Sequence, residues 1–209
     1  MDHIISAKLG TDNHDGRKLA RMKRDLYHAL LTWKATSRRK PLLLKGVRQT
    51  GKTFLLKKFG NDAYDCVFYF NFEEEPAMDT FFERNLKPTR ILNELSIYSK
   101  AEIHPETDLV IFDEIQVSDR ALNALKYFQE EAPTYHIVAA GSLLSAKLSR
   151  SGSFPVGKVN FLNLYPMTFL EFLDAVGFSR YRQLLEDIDH FTPLSEILHK
   201  DLIDLLRTY

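Results

Sequence analysis

The sequence is poor in most features that mark secreted, membrane or zinc-dependent proteins. Cys66 is the one cysteine in 209 residues. No intrachain disulfide can form, and the place of Cys66 in an apolar run reads as a small core side chain in a reducing compartment. No stretch reaches the roughly 20 consecutive apolar residues that a membrane span needs, and residues 1–15 lack the apolar run of an export signal. These absences predict a cytoplasmic chain with no membrane partner. The seven histidines include no HExxH or HxxxH pair and have no cysteine cluster beside them, which excludes the usual zinc patterns. Internal repeats and low-complexity tracts are also missing.

Net charge is absent as well, because 28 basic side chains balance 28 acidic ones. The balance conceals an asymmetry. Residues 1–60 carry 15 basic and 4 acidic side chains, and residues 61–209 carry 13 and 24. Either the two parts fold against each other and neutralise, or the N-terminal part faces an anionic partner. What the chain does have is apolar material: 44% hydrophobic residues beside 27% charged ones suit a globular protein with a sizeable core.

Residues 1–16 are polar, without sustained period, and predict a mobile tail. From Lys18 to Trp33, Leu19, Met22, Leu26, Leu30 and Trp33 recur at steps of three and four, the signature of an amphipathic helix. Beyond the basic linker 37–40, short apolar runs predict strands over 42–45, 67–72, 109–112, 137–140 and 160–164. They are continuous rather than alternating, as in parallel strands covered on both faces. Helices are predicted between them over 52–59, 89–100, 120–130 and 143–150. Such alternation predicts a three-layer α/β domain. After Pro166 the spacing turns helical over 168–176, 179–188 and 194–207, which predicts a small helical subdomain. The division expected is a tail over 1–16, a core with its N-terminal helix over 17–165, and a helical lid or linker over 166–209.

The run Gly46-Val47-Arg48-Gln49-Thr50-Gly51-Lys52-Thr53 fits GxxxxGKT, a match expected by chance roughly once in a hundred chains of this length at average glycine usage. It follows one predicted strand and opens a predicted helix, the context that phosphate binding requires. The glycines let successive N–H groups turn inward onto phosphate oxygens, and the helix N-terminus adds its positive dipole end. The cradle expected is Gly46 through Phe54, with Lys52 reaching the β and γ phosphates and the Thr53 hydroxyl ligating magnesium. Hydrolysis also needs a metal-holding carboxylate and a base. Leu109-Val110-Ile111-Phe112-Asp113-Glu114 supplies both at the carboxyl end of an apolar strand, with Asp113 toward the metal and Glu114 toward the attacking water. Ser142, after the strand 137–140, reads as a γ-phosphate sensor or as the N-cap of the next helix. No NKxD guanine-reading sequence is present, which favours adenine, and so ATP with Mg2+.

The runs 40–53, Phe112-Asp113-Glu114-Ile115-Gln116, Ala140-Gly141-Ser142-Leu143-Leu144, Ser153-Phe154-Pro155-Val156-Gly157-Lys158 and Tyr165-Pro166-Met167-Thr168-Phe169 resemble the bacterial and archaeal AAA-superfamily ATPases that are similar to archaeal-type ATPases. The resemblance covers roughly residues 26–173. It implies a sheet of order 5-1-4-3-2, a helical lid, ATP and magnesium, and it makes Gln116 part of the family pattern without assigning it a role. Such proteins usually continue into a C-terminal domain, so the resemblance implies that 166–209 lead toward a domain absent from this sequence. Where many members have Gly-Arg, Gly157-Lys158 stands here, and a lysine lacks the planar fork of arginine.

Taken together, the sequence predicts a Mg2+-dependent ATPase whose hydrolysis drives a conformational change on a target. Two alternatives stand beside it: a P-loop phosphotransferase, for whose closing lid the region after the sheet offers only the loosely spaced Arg180, Arg182 and Arg207, and an ATP-switched nucleic-acid-binding module using the basic segment 17–40. A protein or nucleic-acid target would meet that segment. Arg150, or failing it Lys158, is the candidate arginine finger, acting across the contact of a homo-oligomer, a role worth about 10³ to 10⁵ in rate. The competing role for Arg150 is to complement a helix dipole.

Overall fold

The computed structural model describes residues 4–6, 23–142, 144, 156–189 and 193–209. Six strands form one sheet: β1 (Ile4–Ser6), β2 (Leu42–Lys45), β3 (Cys66–Asn71), β4 (Asp108–Asp113), β5 (His136–Gly141) and β6 (Asn160–Asn163), in the spatial order β1-β3-β4-β5-β2-β6. The five strands from β2 to β6 pair in parallel. Numbered among themselves they run 2-3-4-1-5, the expected order read from the other edge. Helices α1 (Leu26–Ala35), α2 (Lys52–Ala63), α3 (Pro88–Ser99) and α4 (Asp119–Glu131) alternate with them.

The apolar runs explain the middle of the sheet. Every residue of β4 and β5 is buried, which is what continuous rather than alternating hydrophobicity implies. Phe112 of β4 packs edge-on or tilted against Phe70, Phe72 and Phe82, with ring centroids 6.1, 5.9 and 5.8 Å away. Phe128 of α4 meets the same ring at 6.1 Å.

Three differences from the sequence reading have physical causes. Residues 1–16 are expected to be a mobile tail, but Ile4–Ser6 pair antiparallel with Phe68, Val67 and Cys66 and extend the sheet beyond β3. Three residues are too few to carry a period. Helix α2 runs past its expected end at Phe59 to Ala63 because Gly60 is a packing glycine rather than a stop: a Cβ there would lie 2.6 Å from Val67 Cγ2. Pro76–Phe82 form a 3₁₀ turn that the sequence leaves unassigned. The expected helix over 143–150, save Leu144, lies outside the described residues, as does the first part of the helix expected from Lys18.

The chain divides into two compact units, 1–9 with 28–165 and 10–27 with 166–209. In the second, α5 (Phe169–Ala175), α6 (Ser179–Asp187) and α7 (Glu196–Thr208) are the three helices among the described residues that follow the sheet. Thr168 and Glu171 form a reciprocal capping box at the start of α5. Glu171 also accepts from Arg24 Nε at 3.1 Å and from the Asp25 amide at 2.8 Å. Those three amide and guanidinium donors hold its carboxyl below the usual range despite burial. No helix among the described residues is long and apolar enough to cross a membrane.

Candidate nucleotide site

Sheet order decides where the site lies. After β2 the chain crosses β5 and β4 to reach β3, and after β5 it crosses β2 to reach β6. The loops at the carboxyl ends of β2, β4 and β5 therefore open beside one another, as ligand crevices do in parallel sheets.

The loop between β2 and α2 is shaped by two left-handed residues, Gln49 at φ 65° and Gly51 at φ 88°. Gly46 is required by close approach: a Cβ on it would stand 2.5 Å from the Leu164 carbonyl oxygen. The Leu164 amide donates to Lys45 O at 2.7 Å, so the end of β6 braces the base of the loop. Thr50 is buried and donates from Oγ1 to Val47 O at 2.9 Å. Val47 is exposed, and Phe54 is half-buried in the first turn of α2. Arg48 turns outward to an exposed ion pair with Glu73 at 3.0 Å.

Lys52 folds back into the loop. Its Nζ donates to Gly46 O and Val47 O, each at 2.9 Å, and the side chain is 5% exposed. Burial lowers its pKa, and the nearby Glu114 and Asp113 partly offset that. The ammonium is thus held at the centre of the loop by carbonyls that an anion can replace as partners.

Thr53, at the start of α2, donates from Oγ1 to Asp113 Oδ2 at 2.6 Å. This joins the P-loop to the end of β4. The same Oδ2 accepts from Tyr69 Oη at 2.9 Å, and Oδ1 accepts from the Glu114 amide at 3.0 Å. Burial and the Asp113 carboxylate both raise the Tyr69 pKa, so the phenol stays a donor. A hydroxyl and a carboxylate in contact make an all-oxygen donor pair that suits a hard cation such as Mg2+. Among the described residues no group of three or more His, Cys, Asp or Glu could hold a metal ion.

Glu114 caps the 3₁₀ turn Ile115–Val117 with φ 50° and ψ 39°. Its Oε2 accepts from Gln116 Nε2 at 2.5 Å and from Ser142 Oγ at 3.4 Å. Thr53, Asp113, Glu114 and Ser142 are thus joined by hydrogen bonds, with Lys52 beside Thr53 in the chain. Of the finger candidates, Arg150 lies outside the described residues, and Lys158 pairs with Glu130 at 3.0 Å.

Sequence reasoning overlooked Tyr69 and left Gln116 without a role. Tyr69 reads in sequence as one more aromatic of a buried strand. Its only signal is its place near the end of β3, where it lies half-buried while its neighbour Phe68 is fully buried.

The AAA domain profile matches residues 38–173. Three solved structures are similar in part. A Walker-type ATPase of Pyrococcus abyssi shares 20% identity at a TM-score of 0.48, over 80% of this chain and 60% of the other. C. elegans PCH-2 shares 16% at 0.44, over 86% and 57%. A structure of katanin self-assembly shares 14% at 0.42, over 99% and 73%. The chain thus spans less than two thirds of the length of the first two. No curated protein matches the sequence. With its P-loop, its acidic strand end and the intervening sheet all inside the matched span, the chain belongs to the AAA domain family.

Proposed function

We propose that this chain binds ATP with Mg2+ and hydrolyses it, using the cycle to drive a conformational change on a target. The observation that carries the reading is the Thr53 to Asp113 hydrogen bond at 2.6 Å, with Glu114 next in the chain and Lys52 in the loop beside it. The bound cation would neutralise developing phosphate charge. The amides from Gly46 to Phe54 and the Lys52 ammonium bind and orient the phosphates. Thr53 and Asp113 would hold the cation, Glu114 takes the proton from the attacking water, and Ser142 donates toward the γ-phosphate or that water.

Arg150, or failing it Lys158, would supply a finger across a homo-oligomeric contact. The Glu130 ion pair would have to open before Lys158 could serve. The target, protein or nucleic acid, would meet the basic N-terminal segment. In the described part of that segment Lys34 donates to Ala63 O, Arg39 to the carbonyls of Lys34 and Thr36, and Lys40 to Gly157 O. Nucleic-acid binding there would fall mainly to exposed Lys23 and Arg38. The phosphotransferase reading loses support for a similar reason. Arg182 is held by three carboxylates, those of Asp25, Asp174 and Glu186, so it is not poised to close on an acceptor, while Arg180 and Arg207 are exposed. A cytoplasmic setting fits a chain with one cysteine.

The test is calorimetric titration of ATP with Mg2+ into the parent and Lys52→Ala. The substitution removes the loop's own ammonium and is expected to abolish tight binding. Equal affinity in both would overturn the reading.

A further inference from the structure

The turn after β4 places a residue where it can aim the proposed base. Glu114 occupies the left-handed region, which is strained for a non-glycine residue and persists only where the surroundings enforce it. Two hydrogen bonds close the turn: Val117 N to Glu114 O at 3.1 Å and Ser118 N to Ile115 O at 3.0 Å. The helix that follows is fixed in turn, since Ser118 Oγ caps it by accepting from the Ala121 amide at 2.9 Å. This geometry brings the side chain of residue 116 back onto that of residue 114.

Gln116 Nε2 donates to Glu114 Oε2 at 2.5 Å. The other end of the amide is pressed onto β5: a Cβ on Gly141 would lie 1.9 Å from Gln116 Oε1. Only glycine at 141 leaves the amide in place. One end of Gln116 is thus seated on the rigid sheet and the other grips the carboxylate. Ser142, directly after Gly141, reaches the same Oε2 at 3.4 Å. Oε1 of Glu114 accepts no hydrogen bond from the described residues and is the oxygen left to take a proton.

We infer that Gln116 is the positioning residue for Glu114, an amide strut between Gly141 and the carboxylate that fixes Oε2 and presents Oε1 to the attacking water. The inference rests on the hydrolysis proposed above. Asparagine at 116 would be one methylene short of spanning the gap, and a cation there would neutralise the base it holds.

The experiment measures single-turnover ATP hydrolysis and ATP affinity with Mg2+ in the full chain. The variants are Gln116→Met, Gln116→Glu, Glu114→Gln and Glu114→Gln with Gln116→Met. Methionine keeps the length and bulk without the N–H donor. Gln116→Met is expected to keep ATP affinity within about twofold and lose about 10- to 100-fold in hydrolysis, the cost of a reacting group misplaced by about 1 Å. Added to Glu114→Gln it should cost nothing further, because no base remains to be aimed. A merely structural glutamine would lower both backgrounds alike, or lower affinity along with rate. Either result, or parental hydrolysis in Gln116→Met, overturns the inference. If Gln116→Met does not fold, Gln116→Glu, equal in size with the donor replaced by an acceptor, is read by the same criteria. A parent that hydrolyses and a Glu114→Gln that does not, with Gln116→Met indifferent, removes this inference alone. A parent that never hydrolyses ATP removes the proposed function with it.

Discussion

The substitution Gly46→Ala tests how the phosphate loop is seated on the sheet. A methyl group there would come within 2.5 Å of the Leu164 carbonyl oxygen and 3.2 Å of Thr50 Oγ1, against an ordinary contact of about 3.4 Å or more. The Leu164 oxygen is backbone, and its own amide is tied to Lys45 O at 2.7 Å. Relief therefore requires the strand end or the loop to move by nearly 1 Å. Overpacking of this kind costs about 1–3 kcal/mol. In a chain of this size that corresponds to a fall of about 2 to 12 °C in Tm. The loop would take part of the displacement, so ATP affinity should fall about tenfold or more, which is 1.4 kcal/mol or more of binding. The control is Gly157→Ala, where an added Cβ meets nothing within 4 Å and the change should stay within about 0.5 kcal/mol. Thermal unfolding and calorimetric ATP titration of both variants read the two effects. A Gly46→Ala protein as stable and as tight-binding as Gly157→Ala would refute the bracing of the loop by β6.

Tyr69→Phe removes one of two hydroxyl donors from Asp113 Oδ2, so the carboxylate is less firmly aimed. Mn2+ affinity in the presence of ADP, followed by electron paramagnetic resonance, should fall about tenfold, and an unchanged titration would make Tyr69 a packing residue only. If Arg150 acts across a subunit contact, specific hydrolysis should rise with protein concentration and Arg150→Ala should abolish the rise. If activity is independent of concentration and indifferent to both Arg150→Ala and Lys158→Ala, the chain works as a monomer without a finger.

The sequence made the central strands and the loop legible because each is a local pattern. Leu42–Leu44 is an uninterrupted apolar run, GxxxxGKT follows directly after Lys45, and the observed strand Leu42–Lys45 has the expected bounds. The acidic pair Asp113-Glu114 is equally local. What escaped was set by contacts between distant segments. Ile4–Ser6 become a strand only because β3 offers a free edge. Gly60 sits inside a helix because Val67, seven positions on, needs the room. Tyr69 belongs to the site through a hydrogen bond to a residue 44 positions away. The role of Gln116 depends on the left-handed turn at Glu114 and on Gly141, neither of which a motif records.

The central claim is that Glu114 is the base and the loop is the binder, so that chemistry and affinity rest on different residues. Glu114→Gln with ATP and Mg2+ separates them in one protein. The account predicts ATP affinity within about twofold of the parent and single-turnover hydrolysis lower by about 10²-fold or more. Hydrolysis at the parental rate, or a loss of affinity as large as the loss of rate, would contradict it.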